Sequence, residues 1–407
     1  MAIVKLPEDL LMEILLRLPV KSLLRFKSVC KNWYALIQNP SFISLHHDHF
    51  TSIPVNQNTD CLFVKGSLEG GMGVFCRFMP FQLQKLSCLH VIGSADPPVY
   101  TEELGGMALS FVTGENPVED IDISFTGIDI EALQILGPCN GVVCLTSGLN
   151  STIVICNPSM NEFRVLPQPS YKNDFFSNLG IGYDPITNDY KVVKFGNISI
   201  MGIDERVEIY DERVEIYELS TDSWREVDDE GPIESGFLCS ESLFTSWNGD
   251  FFWYAYSGGC HPVGLAIVAF SMTDEEFKEM PVPEVCLSHH PKLSVLKDSL
   301  ALVICQNWWA GRCFDIWLMN KEDVEVSWTK KFTIGPCFPA FDEVLGFRQN
   351  GEVLVKNLGQ IMLYNSNTRE RKEYQVHGRL SNLHAVPYTE SLVSVNRHNA
   401  PDGHIAS

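Results

Sequence analysis

LPEDLLMEILLRLPVKSLLRFKSVCKNWYALI, Leu6 to Ile37, reads as helical phrases cut by prolines. Pro7 suits the first helical position, and Glu8 and Asp9 complement the positive end of the helix dipole. Leu10, Leu11, Ile14, Leu15 and Leu18 then recur at helical spacing, until Pro19 ends the run. A second short helix is predicted over Lys21–Arg25. A third is predicted over Ser28–Gln38, with Val29, Trp33, Leu36 and Ile37 on one face. Asn39-Pro40 stops it, and Ser41 is placed to cap a fourth turn bearing Phe42, Ile43 and Leu45.

Working outward, 22 of the 40 residues from Leu6 to Leu45 are apolar. A helical unit of about 40 residues is too small to hide that much apolar surface within itself. The excess implies a docking face for another protein or for the neighbouring domain. Charge also sets this end apart. Residues 1–45 carry six basic and three acidic side chains, 6 − 3 = +3, so the rest of a chain of net charge −21 carries −24. The acidic field disfavours nucleic acid and anionic membranes and favours a basic partner.

The N-terminal run resembles the F-box. The resemblance rests on Leu6-Pro7, the Ile14-Leu15 pair, Leu18-Pro19, Ser22-Leu23-Leu24-Arg25-Phe26, and Val29-Cys30-Lys31 followed by Trp33. It implies binding to a Skp-type adaptor, and through it to cullin and RING subunits, by an apolar interface. The implied contact residues are Leu6, Pro7, Leu10, Ile14, Leu15, Leu18, Pro19, Leu23, Leu24, Phe26, Val29, Cys30, Trp33, Leu36 and Ile37. Leu16 departs from the pattern, where a small or polar residue is usual, and is expected to face the downstream domain.

After about residue 50 the texture changes to short β-rich runs separated by Asn, Asp, Pro and Gly turns. One phrase recurs: apolar strand, polar turn, strand with an aromatic, sometimes then Pro. Its turns begin at Asn157, Asp184, Ser220, Ser271, Asn320 and Asn365, in steps of 27, 36, 51, 49 and 45. The later steps match four-stranded propeller blades, and the first is too short for one. The aromatics Phe163, Tyr190, Trp224, Phe277, Trp328 and Tyr374 are expected to pack between neighbouring sheets. The expected fold is α+β and multidomain: F-box helices over 1–47, then an all-β domain over 50–390, a kelch-like β-propeller of six or seven blades. A flexible tail over 391–407 completes the expectation. The competing architecture is a pair of β-sandwiches.

DERVEIY occurs twice in tandem, at Asp204–Tyr210 and Asp211–Tyr217. Seven is odd, so an unbroken strand would turn the two copies to opposite faces. A turn or bulge near Asp211-Glu212 is expected, or a protruding copy. Asp211 and Glu212 are thus candidates for contact with a target. Trp308 and Trp309 are a second candidate pair, because paired tryptophans anchor interfaces, although in a β-rich domain they more often pack between sheets.

The β-rich region resembles the F-box-associated domain of plant F-box proteins. GPCNGVVCL from Gly137, NPSMNEFRVLP from Asn157, GIGYDPITNDYKVV from Gly180, YELSTDSWREV from Tyr217 and SWTKKFTI from Ser327 carry the likeness. Within that family it looks most like the S-locus F-box group, which implies recognition of basic ribonucleases in pollen self-incompatibility. Another target, such as a defence or stress regulator, fits the same adaptor role.

No catalytic constellation, cofactor motif or metal site is expected. Gly70-Gly71-Met72-Gly73 lacks the helix and Lys-Ser/Thr of a phosphate loop. His46, His47, His49 and the pair His289-His290 have no cysteine nearby and read as solvated segments. Asp228-Asp229-Glu230 reads as a solvated loop. The chain has 13 cysteines without a CxxC pair. Cys144, Cys156 and Cys305 lie in apolar runs and read as buried thiols in a reducing compartment, so a cytoplasmic location, with the nucleus as a second, is expected. The expected role is a non-catalytic adaptor that holds a target near the ligase. A carbohydrate-binding propeller or propeller enzyme fused to an F-box is the reading from another class.

Overall fold

The computed structural model describes residues 7–52, 61–68, 74–80, 108–111, 119–122, 133–147, 152–170, 176–201, 208–227, 237–257, 264–288, 291–306, 312–320, 326–336, 341–348, 351–358, 360–374 and 380–396. Four helices come first: α1 (Glu8–Leu16), α2 (Val20–Phe26), α3 (Lys31–Ile37) and α4 (Pro40–Ser52). Prolines set their borders. Pro7 and Pro19 stand at the N-caps of α1 and α2, and the Pro19 carbonyl accepts from Ser22 and Leu23 N–H. Asn39, not Ser41, caps α4: its Oδ1 accepts the Ser41 N–H at 2.8 Å. The fourth helix also runs past the expected border at residue 47.

The strands form six sheets. The first holds β1 (Cys61–Leu68), β2 (Val74–Pro80), β3 (Ala108–Phe111) and β4 (Glu119–Asp122). The second holds β5 (Leu133–Cys139), β6 (Val142–Ser147), β7 (Ile153–Asn157) and β8 (Glu162–Val165). The third holds β9 (Phe176–Asp184), β10 (Asp189–Met201), β11 (Glu208–Glu218) and β12 (Ser223–Val227). The fourth holds β13 (Phe237–Trp247), β14 (Asp250–Ser257), β15 (Gly264–Phe270) and β16 (Phe277–Pro281). The fifth holds β17 (Lys292–Leu296), β18 (Ser299–Gln306), β19 (Cys313–Asn320) and β20 (Ser327–Ile334). The sixth holds β21 (Glu343–Phe347), β22 (Val353–Asn357), β23 (Gln360–Tyr364) and β24 (Arg371–Tyr374). The last strand, β25 (Leu380–Tyr388), pairs with β1 and makes the first sheet five-stranded.

Strands β25, β5, β9, β13, β17 and β21 touch in that order around a ring, so the sheets form a closed propeller. The chain's last strand supplies the inner edge of a blade whose other strands come from its beginning. Six sheets fall within the six or seven expected from the repeat.

The uneven spacing of the recurring phrase has a simple origin. Asn157 and Asn320 end the third strands of their sheets, and Ser220, Ser271 and Asn365 directly follow the third strands of theirs, whereas Asp184 starts the inner β9–β10 turn. The phrase recurs because the turn chemistry recurs. Asn157, Asp184 and Asn365 each accept two backbone N–H groups through the side-chain Oδ1. The fourth residue onward is left-handed in each case, at Asn161, Asn188 and Arg369, with Glu275 doing the same after Ser271. Asn tolerates that conformation best.

From Glu208 onward the tandem DERVEIY lies in β11, without a turn or bulge at Asp211-Glu212; residues 204–207 lie outside the described residues. The β10–β11 register runs unbroken from Lys191↔Glu218 to Met201↔Glu208. The pair continues four rungs past the last β9 partner, Asn197↔Phe176, so the described part of the first copy, Glu208–Tyr210, lengthens a hairpin.

Candidate docking face and its seat on the propeller

The helices build a small core from Leu15, Val20, Leu23, Ile37, Phe42 and Ile43, all buried. Phe26 and Trp33, edge-on at 5.3 Å, pin α2 to α3. The surplus apolar surface is where the composition requires it. Among the described residues eight large apolar side chains are exposed, and five belong to this unit: Leu10, Ile14, Val29, Tyr34 and Leu45. Leu10 and Ile14 lie one turn apart on α1, so they share a face. Val29 and Cys30 lie in the α2–α3 turn, and Tyr34 follows one turn later on α3.

The fifteen residues expected at the adaptor contact therefore divide. Pro7, Leu10, Ile14, Pro19, Val29 and Cys30 are exposed, and Leu18, Leu24, Phe26, Trp33 and Leu36 are half-buried. Leu15, Leu23 and Ile37 are buried inside the unit and support the face rather than form it. Helical spacing shows which residues are apolar but not which side of a four-helix unit meets solvent. Leu6 lies outside the described residues. Tyr34, half exposed, adds to the expected face.

The histidines of α4 are not a solvated segment. His46 is fully buried, its Nε2–H donates to the Leu18 carbonyl at 2.9 Å, and its ring lies 4.6 Å from that of Phe50. Burial is the main cause that lowers its pKa to about 4, with His47 and His49 adding to the effect and the Leu18 carbonyl opposing it. Burial lowers that of His47 as well.

The seat of this unit is residues 389–396, of which 391–396 were expected to belong to a flexible tail. Ser391, Leu392 and Val395 are buried. Leu392 joins the helical core, with Leu16 and Met160 packed against it, while Val395 joins the propeller core. Leu16, which departs from the F-box pattern, is half-buried against this same core. The Glu390 carboxylate accepts the Val20 N–H at 3.3 Å. Burial pushes the Glu390 pKa up, opposed by that N–H and by Lys21. On the other side, Asn157 Nδ2 donates to the Ser391 and Val393 carbonyls at 2.9 and 2.7 Å. Glu162 accepts from Ser394 Oγ and Val395 N. The Tyr388 hydroxyl lies 2.9 Å from Gly141 O, 2.9 Å from Asn157 Oδ1 and 2.8 Å from Ser159 Oγ. A polar strip with alternating apolar residues is what a segment pinned between two cores needs, because each buried backbone group must find a partner. Residues 397–407 lie outside the described residues.

This seat leaves a cleft of about 470 Å³ between α4 and the third sheet, bordered by His47, Asp48, Tyr183 and Asp189. Near it a buried ionic cluster ties the third sheet to the fourth. Lys191 Nζ lies 2.8 Å from Asp184 Oδ2, 2.8 Å from Glu275 Oε1 and 2.8 Å from the Met272 carbonyl. Burial opposes the Asp184 charge, yet the Lys191, Thr187 and Ile186 donors outweigh it and hold its carboxyl well below the usual range.

This arrangement has relatives. A model of the F-box associated beta propeller domain matches residues 108–396, and a model of the F-box domain matches residues 3–45. The chain belongs to the F-box-associated β-propeller family. An F-box/kelch-repeat protein of Arabidopsis thaliana is 26% identical over 397 residues, covering 96% of this chain and 96% of its own length. A second F-box protein of that plant is 25% identical over 427 residues, covering 95% of this chain and 91% of its own. The family match ends at residue 396, so it takes in the whole buried segment after β25. In this F-box protein that segment belongs to the domain and is not an appendage.

The target-side candidates fare differently. Trp308 and Trp309 lie outside the described residues, as do Gly70–Gly73, Asp228–Glu230 and His289-His290. Asp211 and Glu212 are placed in β11 by their backbone. Cys144 and Cys156 are buried and Cys305 is half-buried; burial pushes the Cys144 thiol up to about 12. Among the described residues no group of three or more His, Cys, Asp or Glu side chains could hold a metal ion.

Proposed function

We propose that this F-box protein is the substrate-recognition subunit of a Skp–cullin–F-box ubiquitin ligase, working in the cytoplasm with the nucleus as a second location. The observation that carries the reading is the apolar face of Leu10, Ile14, Val29 and Tyr34, left open by a helical unit whose own core is already complete. A Skp-type adaptor would cover that face and bring cullin and RING subunits with it. The chain's contribution is proximity rather than catalysis: tethering a target makes ubiquitin transfer effectively intramolecular. The target we favour is a basic protein, of the kind represented by the ribonucleases of pollen self-incompatibility, since the chain beyond residue 45 carries −24.

Co-purification with a Skp-type adaptor tests the docking half. Ile14 is 50% exposed, so Ile14→Asp leaves the helical core intact while placing a charge in the interface. Losing one such anchor costs about 2–4 kcal/mol, a fall of roughly thirtyfold or more in affinity. Wild-type protein that leaves the adaptor unbound would refute the reading. For the target half, a pull-down from pollen and style extracts should retain a basic ribonuclease, and failure to bind any style ribonuclease removes that choice while leaving the adaptor role standing.

A further inference from the structure

We propose that the mouth of the propeller's central channel is a binding site for an acidic peptide segment. The ends of five inner strands, β5, β13, β17, β21 and β25, converge on a cavity of about 260 Å³. Its polar lining consists of Lys292, Lys297 and Arg348 with the hydroxyls of Thr245, Ser246 and Ser294, and no carboxylate lines it among the described residues. In a chain of net charge −21 the side chains lining the cavity are thus cationic, with Glu343, Glu352 and Asp298 standing outside the lining.

The cations are held in place. Lys292 Nζ lies 2.6 Å from Glu343 Oε1, and Arg348 Nη1 lies 3.1 Å from Glu352 Oε2. Each carboxylate takes part of its partner's donor capacity and fixes where the charge sits. Lys297 has no ion-pair partner among the described residues. It sits at the exposed β17–β18 turn, left-handed at φ 55°, where its side chain borders the cavity, with Asp298 beside it in the chain. Two anchored cations, a third at the rim and three hydroxyls suit carboxylates presented in a row, because charge-assisted hydrogen bonds are the strong ones. Strand ends surrounding a channel admit an extended segment better than a globular surface.

The acidic exterior does not forbid this. At physiological salt the screening length is about 8 Å, so distant carboxylates are largely screened while cations lining the cavity are not. The site and a basic target surface address different parts of a partner. The inference does not rest on the adaptor reading, because binding is measured on the full chain alone.

The test is calorimetric titration of the full-length protein with a capped hexaglutamate peptide at 0.15 M salt, with capped hexaglutamine beside it. Hexaglutamate should bind and hexaglutamine should not. Lys292→Glu with Lys297→Glu should weaken binding roughly tenfold or more. Lys331→Glu, an exposed change on the outer strand β20, should leave it unaltered. Circular dichroism establishes that the double variant is folded; should it not fold, Lys297→Gln alone is used, with a weakening of severalfold expected. No binding of hexaglutamate by the wild type, equal binding of hexaglutamine, or equal loss with Lys331→Glu would each overturn the proposal.

Discussion

At the residue scale, Gly141 shows how one position secures the join between the helices and the propeller. It has φ 78°, and a Cβ there would lie 2.3 Å from Ser391 Cβ and 2.9 Å from the Thr389 carbonyl. Both the backbone angle and the close approach require glycine. Gly141→Ala should destabilise the protein by about 2–4 kcal/mol, read as a fall in the urea midpoint with an unchanged slope. His46 gives a second prediction. Its folded pKa of about 4 lies below the ordinary histidine value of about 6.5, so the unfolded chain takes up its proton first as pH falls. Its contribution to stability is therefore complete above about pH 6.5 and is lost progressively down to about pH 4, by up to ~3 kcal/mol. The groups facing it are the Leu18 carbonyl, Phe42 and Phe50, with His47 and His49 adjacent on α4. His46→Leu should flatten that part of the stability–pH curve, and an unchanged curve would assign the acid sensitivity elsewhere. Neither role was legible in the sequence. Gly141 was visible as one of many turn glycines, and His46 as one of three histidines in a polar-looking run; what decides both is a partner far away in the chain.

At the element scale, the local signals were the readable ones. Prolines marked the helix ends, and the Asn/Asp/Ser turns marked the outer hairpins, because those features depend on residues within four positions of one another. The aromatics after those turns also behave as a repeat. Trp224 Nε1–H donates to the Pro167 carbonyl at 2.7 Å, and Trp328 Nε1–H donates to the Pro281 carbonyl at 2.8 Å. In each case a tryptophan on an outer strand is tied to a proline at or just past the end of the outer strand of the preceding sheet. Trp224→Phe and Trp328→Phe should each cost about 1 kcal/mol by losing that bond, and because the sites are in different sheets the double variant should lose about their sum. Thermal unfolding of the two single variants and the double one checks this. Residues 391–396, expected in a flexible tail, are instead part of the fold. Ser391–Val395 reads as a short polar-apolar stretch after the last repeat, and only the fold shows that its alternate residues face two different cores. Leu392→Asp should raise hydrogen exchange in α2 and α3 well above that in the propeller, since Leu392 is buried in the helical core.

At the scale of the whole molecule, the chain has a basic helical end and an acidic propeller, with the C-terminal segment 389–396 pinned between them. The five sheets built from consecutive strands could be anticipated from their turns. The sixth could not, because β25 closes on β1 across more than three hundred residues and its partners share no repeated phrase. The channel mouth was hidden for the same reason: Lys292, Lys297 and Arg348 meet hydroxyls from β13 only after the ring closes. The central claim is that the helical face docks an adaptor while the propeller remains free for a target. Hydrogen exchange of the full-length protein with and without a Skp-type adaptor tests it most directly. The account predicts new protection in α1, the α2–α3 turn and α3 around Tyr34, with the propeller unchanged. Protection confined to the propeller, or none anywhere at saturating adaptor, would contradict it.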